Sequence, residues 1–327
     1  MATNKKLSKA TQRWISLPKN VQLEVLQKVW AEQSAAIRQE YPNVASVGLG
    51  YKAVNGVLQP YMSLAFLVDK KSSNGAQLPT AIKTSVLHEG KRLPVSIPTD
   101  VEEFGDSGPQ LSYDASGGVI VRSVQVPGKA AGGAVCCLVK VDGKRGLHML
   151  SCHHVLTLAE HVGACRAASN VTVFTPDGNR IGVLVENASL TPGAASQVDA
   201  AIALIDDGTD VTWRHSGMQP RSVNMGEAEP PRDCTVYAPD GSLISAKYNK
   251  TFPDTHIEFP NCGVIRIDCY KFDAKTRRGD SGSPIISEDG TLQAMHFWGD
   301  NGGTFSLAIP AGYLFSPGLF SGELILA

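Results

Sequence analysis

The chain carries its clearest chemical signal in GDSGSPII, residues 279–286. A nucleophilic serine needs a hydroxyl held on a tight turn, beside backbone N–H groups that point at the oxygen that becomes negative during acyl transfer. The glycines on both sides of Ser281 supply such a turn, and the apolar run 284–286 begins the strand that anchors it. We therefore predict Ser281 as a nucleophile, with the N–H groups of Gly279 and Ser281 as its oxyanion hole.

A second stretch, GDSGP at residues 105–109, repeats most of the same letters. It lies in residues 105–118, whose Gly-, Ser- and Asp-rich composition is typical of a linker. No apolar strand follows it, and it precedes every candidate base. We therefore assign no catalytic role to Ser107.

A serine nucleophile needs a general base of near-neutral pKa, which indicates histidine. Of the eight histidines, His154 fits best, because the run LSCHHV at residues 150–155 places it at the end of a predicted strand. Asp199 enters the apolar run DAAIALI, where an unpaired acid would be costly, and we predict that it orients the base. The alternatives are a structural histidine, including its neighbour His153, and a strand-capping aspartate.

The order His154, Asp199, Ser281 and the motifs SCHHVLT, DAAIALI and GDSGSPII resemble the trypsin/chymotrypsin clan (PA clan) of serine proteases. The resemblance covers about residues 117–315 and is nearest to the bacterial, disulfide-poor branch that includes HtrA-like proteases and glutamyl endopeptidases. It implies a chymotrypsin-like double β-barrel and serine endopeptidase activity. One departure is Val155, which stands where animal relatives carry a bridged cysteine. Another is that the sequence lacks the Ile-Val-Gly-Gly terminus of trypsin-type zymogens.

The same resemblance implies which residues line the pocket for the P1 side chain of the substrate. They are Lys275, Thr276, His296, Trp298 and Gly299. A threonine and a histidine at these positions resemble the pockets of glutamyl endopeptidases and of viral chymotrypsin-like cysteine proteases that select Gln.

The chemistry of this pocket predicts an acidic or amide P1 residue. A buried hydroxyl and an imidazole N–H satisfy a carboxylate that Lys275, Arg277 or Arg278 would help to neutralise. We expect P1 Glu, with Gln or Asp as alternatives. The competing explanation is that His296 is an ordinary strand residue and the basic side chains point into solvent.

Apolar periodicity predicts a small α+β or β module over residues 1–105. Residues 20–41 show helical spacing, with Asn20 as the N-cap, and two β-like runs, 44–54 and 57–68, flank Asn55-Gly56, a strong hairpin signal. We expect this module to regulate the chain or to dock a protein partner.

From residue 119 onward, short β-rich runs separated by turn residues predict an all-β region. We expect one barrel over about residues 117–210 and another over about 230–315, joined by a polar connector at 206–232. The sequence thus predicts a mostly β protein, in which residues 106–327 form a chymotrypsin-like double β-barrel behind a small α+β module.

The composition limits the kinds of partner that we expect for the chain. The 30 basic and 31 acidic residues form no long single-sign run, so we expect no nucleic acid and no membrane partner, only a protein or peptide substrate. No apolar run reaches the length of a signal peptide or of a membrane span, which favours a cytoplasmic location. The seven cysteines are an odd number without a CxxC pair, so we expect buried free thiols in a reducing compartment.

We expect neither a metal nor a cofactor. Cys152, His153 and His154 are adjacent along one turn and lack the spaced partners that tetrahedral coordination requires. The alternative to an enzyme is a non-catalytic scaffold whose cleft binds a protein, because a fold does not guarantee its function.

Overall fold

A computed structural model describes residues 7–54, 57–68, 78–103, 107–109, 118–162, 165–209, 219–226, 232–259, 261–300 and 305–327. The Asn55-Gly56 turn, much of the predicted linker and parts of the predicted connector lie outside these residues. The chain divides into two compact units, residues 1–105 with 250–253, and residues 106–249 with 254–327.

The first unit packs two helices against a small sheet. Its elements are α1 (Lys9–Ser16), α2 (Lys19–Glu40), β1 (Val44–Val54), β2 (Val57–Val68), β3 (Ala81–His88) and β4 (Lys91–Glu103). The strand order is β1-β2-β4-β3, with β2 and β4 parallel and the other pairs antiparallel. Trp14 of α1 is fully buried, and its indole N–H donates to the carbonyl of Met62.

Two helical features differ from the sequence prediction. The helix α1 was not predicted, because its apolar stripe covers only two turns. The second helix begins earlier than expected, with Pro18 at the N-cap position and no capping side chain, so the assignment of Asn20 as N-cap was wrong. Proline is well suited to the start of a helix, where its missing N–H leaves no hydrogen bond unmade.

A short segment from the middle of a later strand completes the first unit. Residues 250–253 of β15 (Leu243–Phe259) belong to this unit, and Thr251 lies opposite Leu49 of β1. The side chain of Lys250 is fully buried, with its ammonium 3.3 Å from the Asp100 carboxylate and also paired with Glu102. A buried charge is tolerated only when it is paired in this way.

The second unit is built almost entirely of β-strands. They are β5 (Ser107–Pro109), β6 (Val119–Ser123), β7 (Ala130–Gly133), β8 (Cys137–Val141), β9 (His148–Ser151), β10 (Val171–Phe174), β11 (Arg180–Asn187), β12 (Ala201–Ile205), β13 (Ser222–Val223), β14 (Arg232–Tyr237), β15, β16 (Gly263–Asp273), β17 (Pro284–Ser287), β18 (Thr291–Asp300), β19 (Ser306–Pro310) and β20 (Leu324–Leu326). Three single-turn helices join them: α3 (His153–Leu156), α4 (Ala159–Val162) and α5 (Ala311–Leu314).

These strands form two β systems. The first is antiparallel, with the order β20-β8-β9-β12-β11-β10-β6-β7. The second has the order β14-β17-β18-β19-β16-β15, and β14 also pairs with β15, so that six strands close a ring. The prediction of a mostly β protein with a chymotrypsin-like double β-barrel is confirmed.

Two details of the second unit were not foreseen. Residues 107–109 form β5 and pair with β18, so this part of the predicted linker is sheet. The last strand, β20, returns to pair with β8 of the first β system, although the resemblance ended near residue 315. No helix in the described ranges is long and apolar enough to cross a membrane.

The expectation that every cysteine is a buried free thiol was wrong for two of them. Cys165 and Cys262 form a disulfide with their Cα atoms 4.9 Å apart, and both are only half-buried. The other five cysteines are buried and free. The two bridged residues are 97 positions apart and follow α4 and β15, so their local sequence could not reveal the pairing.

Candidate active site

Two neighbouring strands bring a histidine and an aspartate together. The strand β9 ends at Ser151 and leads into α3, which contains His154, while Asp199 immediately precedes β12. Ser151 and Ala201 lie opposite each other in the β9–β12 pair. The residues just beyond these ends, His154 and Asp199, are therefore held close by the sheet register.

The Asp199 carboxylate receives two hydrogen bonds from one residue. It accepts the backbone N–H of His154 at 3.0 Å, and its second oxygen lies 2.5 Å from His154 Nδ1. Burial raises the pKa of this fully buried carboxyl, but the charge of His154 and its hydrogen bonds outweigh that effect, so the pKa lies below its ordinary value. Asp199 is therefore ionised, and it holds the Nδ1 proton of the imidazole.

The other ring nitrogen of His154 is left available. With Nδ1 donating to Asp199, Nε2 of a neutral ring is an acceptor. Nε2 is buried and has no hydrogen-bond partner among the residues that the structure describes. This is the atom that a general base would use.

The turn that carries Ser281 depends on glycine. Asp280 N–H donates to the carbonyl of Arg277, and both Gly279 (φ 99°) and Gly282 (φ 94°) have left-handed backbone conformations. A Cβ atom at Gly282 would lie 2.1 Å from the carbonyl oxygen of Ala134, which no side chain can tolerate. The GDSGS motif therefore fixes the conformation as well as the chemistry.

Shared contacts connect this turn with the His–Asp pair. The N–H of Gly282 and the thiol of Cys152 both bond to the carbonyl of His296, at 2.8 and 3.4 Å. The Cys152 sulfur, a His154 ring nitrogen and an Asp199 oxygen lie within 4.8 Å of one another. The three predicted catalytic residues thus belong to one buried cluster.

Ser281 and His154 are not hydrogen-bonded to each other through His154 Nε2 in this conformation. The Ser281 side chain is fully buried, and its hydroxyl donates to the carbonyl of Phe297 at 3.1 Å. His154 can accept this proton only after the hydroxyl leaves that carbonyl. Catalytic hydrogen bonds commonly tighten only when substrate binds.

The predicted P1-pocket residues divide into one exposed residue and four buried ones. Lys275 is exposed, whereas Thr276, His296, Trp298 and Gly299 are buried. Thr276 Oγ1 and His296 Nε2 lack a hydrogen-bond partner within the described ranges. A buried polar atom left unpaired costs about 1–3 kcal/mol, so each of these two atoms favours a partner that is absent from the free chain.

His296 is held in its neutral form. Burial, and then the nearby charge of His154, lower its pKa to about 3. Its Nδ1 lies 2.5 Å from the hydroxyl of Ser306 on the neighbouring strand β19. When Ser306 donates to Nδ1, the proton of the neutral ring sits on Nε2, which becomes a donor.

The basic residues near the turn lie at the surface. Arg277 and Arg278 are exposed like Lys275, and the guanidinium of Arg277 pairs with Asp240. The side chain of Asp280, by contrast, is buried. Burial raises its pKa to about 6, although it accepts the Arg277 N–H at 2.8 Å.

Sequence reasoning missed two residues that contact the site. The ring of Phe259 lies 6.0 Å from His154 and 5.4 Å from Trp298, and Ser306 bonds to His296 as described. Neither residue carries a local motif, so only tertiary contacts identify them. The alternative base, His153, is engaged elsewhere, with Nδ1 3.2 Å from the carbonyl of Ala188 and a pKa that burial lowers to about 4.

Among the described residues, Cys152, His154 and Asp199 also form a group of three side chains whose metal-ligating atoms lie close together. The group does not suit a metal ion. The Cys152 thiol already donates to the carbonyl of His296 at 3.4 Å, and burial and the charge of Asp199 raise its pKa well above the ordinary value. His154 Nδ1 already bonds to Asp199.

Comparison with known proteins gives a distant likeness. No protein-family model matches the chain, and no curated protein matches it. Among solved structures, the chain is similar to the active form of Rv3671c protease from M. tuberculosis, at 20% identity and a TM-score of 0.36, over 60% of this chain and 76% of that one.

An inactive form of the same protease gives 20% identity and a TM-score of 0.34, over 61% of this chain and 86% of that one. The inactive form of its serine-to-alanine mutant, from strain H37Rv, gives 20% identity and a TM-score of 0.35, over 61% and 84%. At these values the likeness assigns no activity to the chain.

Proposed function

We propose that the chain is a serine endopeptidase of the trypsin/chymotrypsin type, with Ser281 as nucleophile, His154 as base and Asp199 as the residue that orients the base. The observation that carries the proposal is the buried His154–Asp199 pair, whose unpartnered Nε2 belongs to the same cluster as the GDSGS turn. A base, an ionised orienting carboxylate and a serine on a glycine turn are the parts that acyl transfer requires.

In the proposed reaction, Ser281 Oγ attacks the carbonyl carbon of the scissile peptide bond while His154 Nε2 takes the hydroxyl proton. The N–H groups of Gly279 and Ser281 stabilise the negative oxygen of the tetrahedral intermediate. The imidazolium then gives its proton to the leaving amine. Water repeats the sequence on the acyl-enzyme, with His154 again as the base, and the substrate's new carboxylate leaves while Ser281 regains its proton.

We further propose that the P1 pocket prefers Glu, with Gln and Asp as alternatives. The neutral His296, held by Ser306, offers an N–H donor, and the buried Thr276 hydroxyl offers another hydrogen-bonding group. Since the nearby basic side chains lie at the surface, these two neutral groups carry the preference, and Gln is the nearest competitor of Glu. Comparable cleavage of matched peptides with Glu, Arg and Phe at P1 would contradict this preference.

The test of the proposed activity is labelling with a fluorophosphonate probe, read by intact mass. The wild type should gain one adduct and Ser281→Ala none. Ser107→Ala is the matched control, because it removes the serine of the other GDSG stretch, and it should label like the wild type. Labelling that persists in Ser281→Ala, or that is lost in Ser107→Ala, would show that the nucleophile is assigned wrongly.

A wild type that does not label would favour the alternative, a non-catalytic scaffold that binds a protein in its cleft. A second assay then distinguishes a dead site from a latent one. Labelling after addition of cell lysate or after limited proteolysis would indicate latency.

We also propose that residues 1–105 regulate the peptidase or dock a protein partner. Deleting them would leave Lys250 without Asp100 and Glu102, so a milder change is preferable. Lys250→Met weakens the first unit in the full chain. Faster fluorophosphonate labelling of this variant would support inhibition by the unit, and an unchanged rate would contradict it.

The proposed location is the cytoplasm of a bacterium, and membership of the disulfide-poor branch is part of the same proposal. The Cys165–Cys262 bridge weighs against it, because disulfides persist in oxidising compartments. Counting the free thiols of protein purified without reductant distinguishes the cytoplasm from an oxidising compartment. Seven free thiols would fit the cytoplasm, and five would fit an oxidising compartment.

A further inference from the structure

A basic groove on the second unit is lined by residues of β6, of the β6–β7 turn and of β10. Its volume is about 600 Å³. The residues that give it its character are Arg122, Ser123, Lys129, Asn170, Thr172 and Phe174. We call it the hairpin groove.

The charge of the hairpin groove is one-sided. Arg122 and Lys129 line it, both are exposed, and no acidic residue is among its lining residues. Neither side chain has an ion-pair partner among the described residues. A cleft lined by one sign of charge attracts a ligand group of the opposite sign.

The guanidinium of Arg122 is held in place. It lies 5.4 Å from the centroid of the Phe174 ring, in cation–π contact. A planar guanidinium fixed by stacking presents its N–H groups as a fork that matches a carboxylate. Lys129, at the other side of the groove, supplies a second positive charge.

Hydrogen bonds fix the walls of the groove. Ser123 Oγ donates to the carbonyl of Ser169, and the side-chain oxygen of Gln125 accepts the Ser169 N–H at 2.6 Å, which ties the β6–β7 turn to the segment before β10. Val124, another lining residue, is 77% exposed. The groove therefore offers two positive charges beside an exposed apolar side chain.

The strand β7 connects the groove with the candidate nucleophile. Lys129 precedes β7, and Ala134, which follows β7, donates its N–H to the carbonyl of Ser281 at 2.7 Å. Four residues of strand span about 13 Å. Among the described strands, β7 pairs only with β6 and ends the sheet order, so an extended peptide that passes Ser281 along β7 reaches the groove within about five residues.

We propose that the hairpin groove is a second substrate-binding site, which takes an acidic side chain of the polypeptide substrate about four or five residues from the scissile bond. Arg122 and Lys129 bind the carboxylate, and Val124 contacts a neighbouring apolar group. The place of the site relative to the scissile bond rests on the proposed peptidase function. The preference for an acidic peptide segment does not rest on the peptidase function, because it follows from the charges that line the groove.

The test measures binding without turnover, on the Ser281→Ala background. Two fluorescein-labelled peptides are compared by anisotropy, identical except that Gln replaces the Glu residues at one end. The Glu peptide should bind about tenfold more tightly than the Gln peptide, and its Kd should rise with salt. Adding Arg122→Gln and Lys129→Gln together should weaken binding of the Glu peptide about tenfold and leave the Gln peptide unchanged.

Lys140→Gln is the matched control, because it removes an exposed lysine of β8 that does not line the groove. Equal binding of the two peptides would overturn the proposal. An equal loss in the control, or no loss in the double variant, would overturn it too. Fluorophosphonate labelling of the wild type without Glu-dependent binding would refute the proposed binding site and leave the proposed peptidase function standing. Glu-dependent binding without labelling would support the binding site and contradict the peptidase function.

Discussion

A buried carboxyl next to the candidate nucleophile gives the most quantitative prediction. Asp280 is 1% exposed, and burial raises its pKa to about 6 from an ordinary value of 3.8. The Arg277 N–H and the charge of Arg277 oppose this effect without cancelling it. Folding therefore favours the protonated form of Asp280.

The sign of the pH dependence follows from this difference. Below about pH 3 the carboxyl is protonated in both states, and its titration does not change the free energy of unfolding. Between about pH 4 and 6 the unfolded chain releases the proton while the native chain retains it, so the free energy of unfolding falls as pH rises. Above the folded pKa the full cost is present, and a pKa of about 6 against 3.8 corresponds to about 3 kcal/mol.

The variant Asp280→Asn removes the titration and keeps an oxygen that accepts the Arg277 N–H. Relative to the wild type, its free energy of unfolding should rise by about 2.5 kcal/mol between about pH 4 and 7.5, because part of the full effect is already present at pH 4. The buried amide changes the free energy of unfolding by the same amount at every pH. The test is therefore the slope of the difference between variant and wild type against pH. The buried neutral histidines His153 and His296 titrate in both proteins, and their contributions cancel in the difference.

The measurement is urea unfolding followed by tryptophan fluorescence at a series of pH values. Asp289→Asn is the control, because hydrogen bonds from Ser287 and Thr291 lower its pKa to about 2, so its titration in both the folded and the unfolded chain is nearly complete by about pH 5. The control should differ from the wild type by a constant. A constant difference for Asp280→Asn as well, or a slope of opposite sign, would refute the argument.

Three other substitutions test features of the fold. Cys165→Ser removes the bridge to Cys262, which closes a 97-residue loop. In urea unfolding without reductant, the variant should have a free energy of unfolding about 2–5 kcal/mol lower than the wild type. The reduced wild type should be as unstable as the variant. Gly282→Ala forces a Cβ against the carbonyl of Ala134 and should cost more than about 3 kcal/mol, with loss of fluorophosphonate labelling, whereas a stable, labelled variant would contradict the turn geometry. Lys250→Met leaves two carboxylates without their buried partner and should cost about 3 kcal/mol, read as faster amide exchange in β1, and unchanged exchange would contradict this.

The regular strands were predictable because their patterns are local. Alternating apolar residues around Asn-Gly gave the bounds of β1 and β2 as the structure has them. The strand β15 was harder to foresee, because it runs from Leu243 to Phe259 and is partly polar. Near its middle lies Lys250, whose burial depends on carboxylates about 150 residues away, and no local pattern shows such a partner.

The candidate site divides in the same way. Ser281, His154 and Asp199 could be proposed from sequence because each lies in a short motif, and their catalytic roles stay predictions. The contacts that affect these side chains could not be predicted from sequence. Ser306 acts on His296, and Phe259 packs on His154, through tertiary neighbours that sequence spacing does not encode.

The conformation of the candidate nucleophile leads to a last prediction about its kinetics. The Ser281 hydroxyl donates to the carbonyl of Phe297 and leaves His154 Nε2 unpartnered within the described residues, so activation exchanges one buried hydrogen bond for another. Because a neutral hydrogen bond contributes about 1 kcal/mol net, this exchange is close to balanced and requires no unfolding of the turn. The rate of fluorophosphonate labelling should therefore increase in proportion to probe concentration. A plateau at high probe concentration would show instead that a slower opening of the buried site precedes the reaction, and that the exchange of one hydrogen bond does not describe activation.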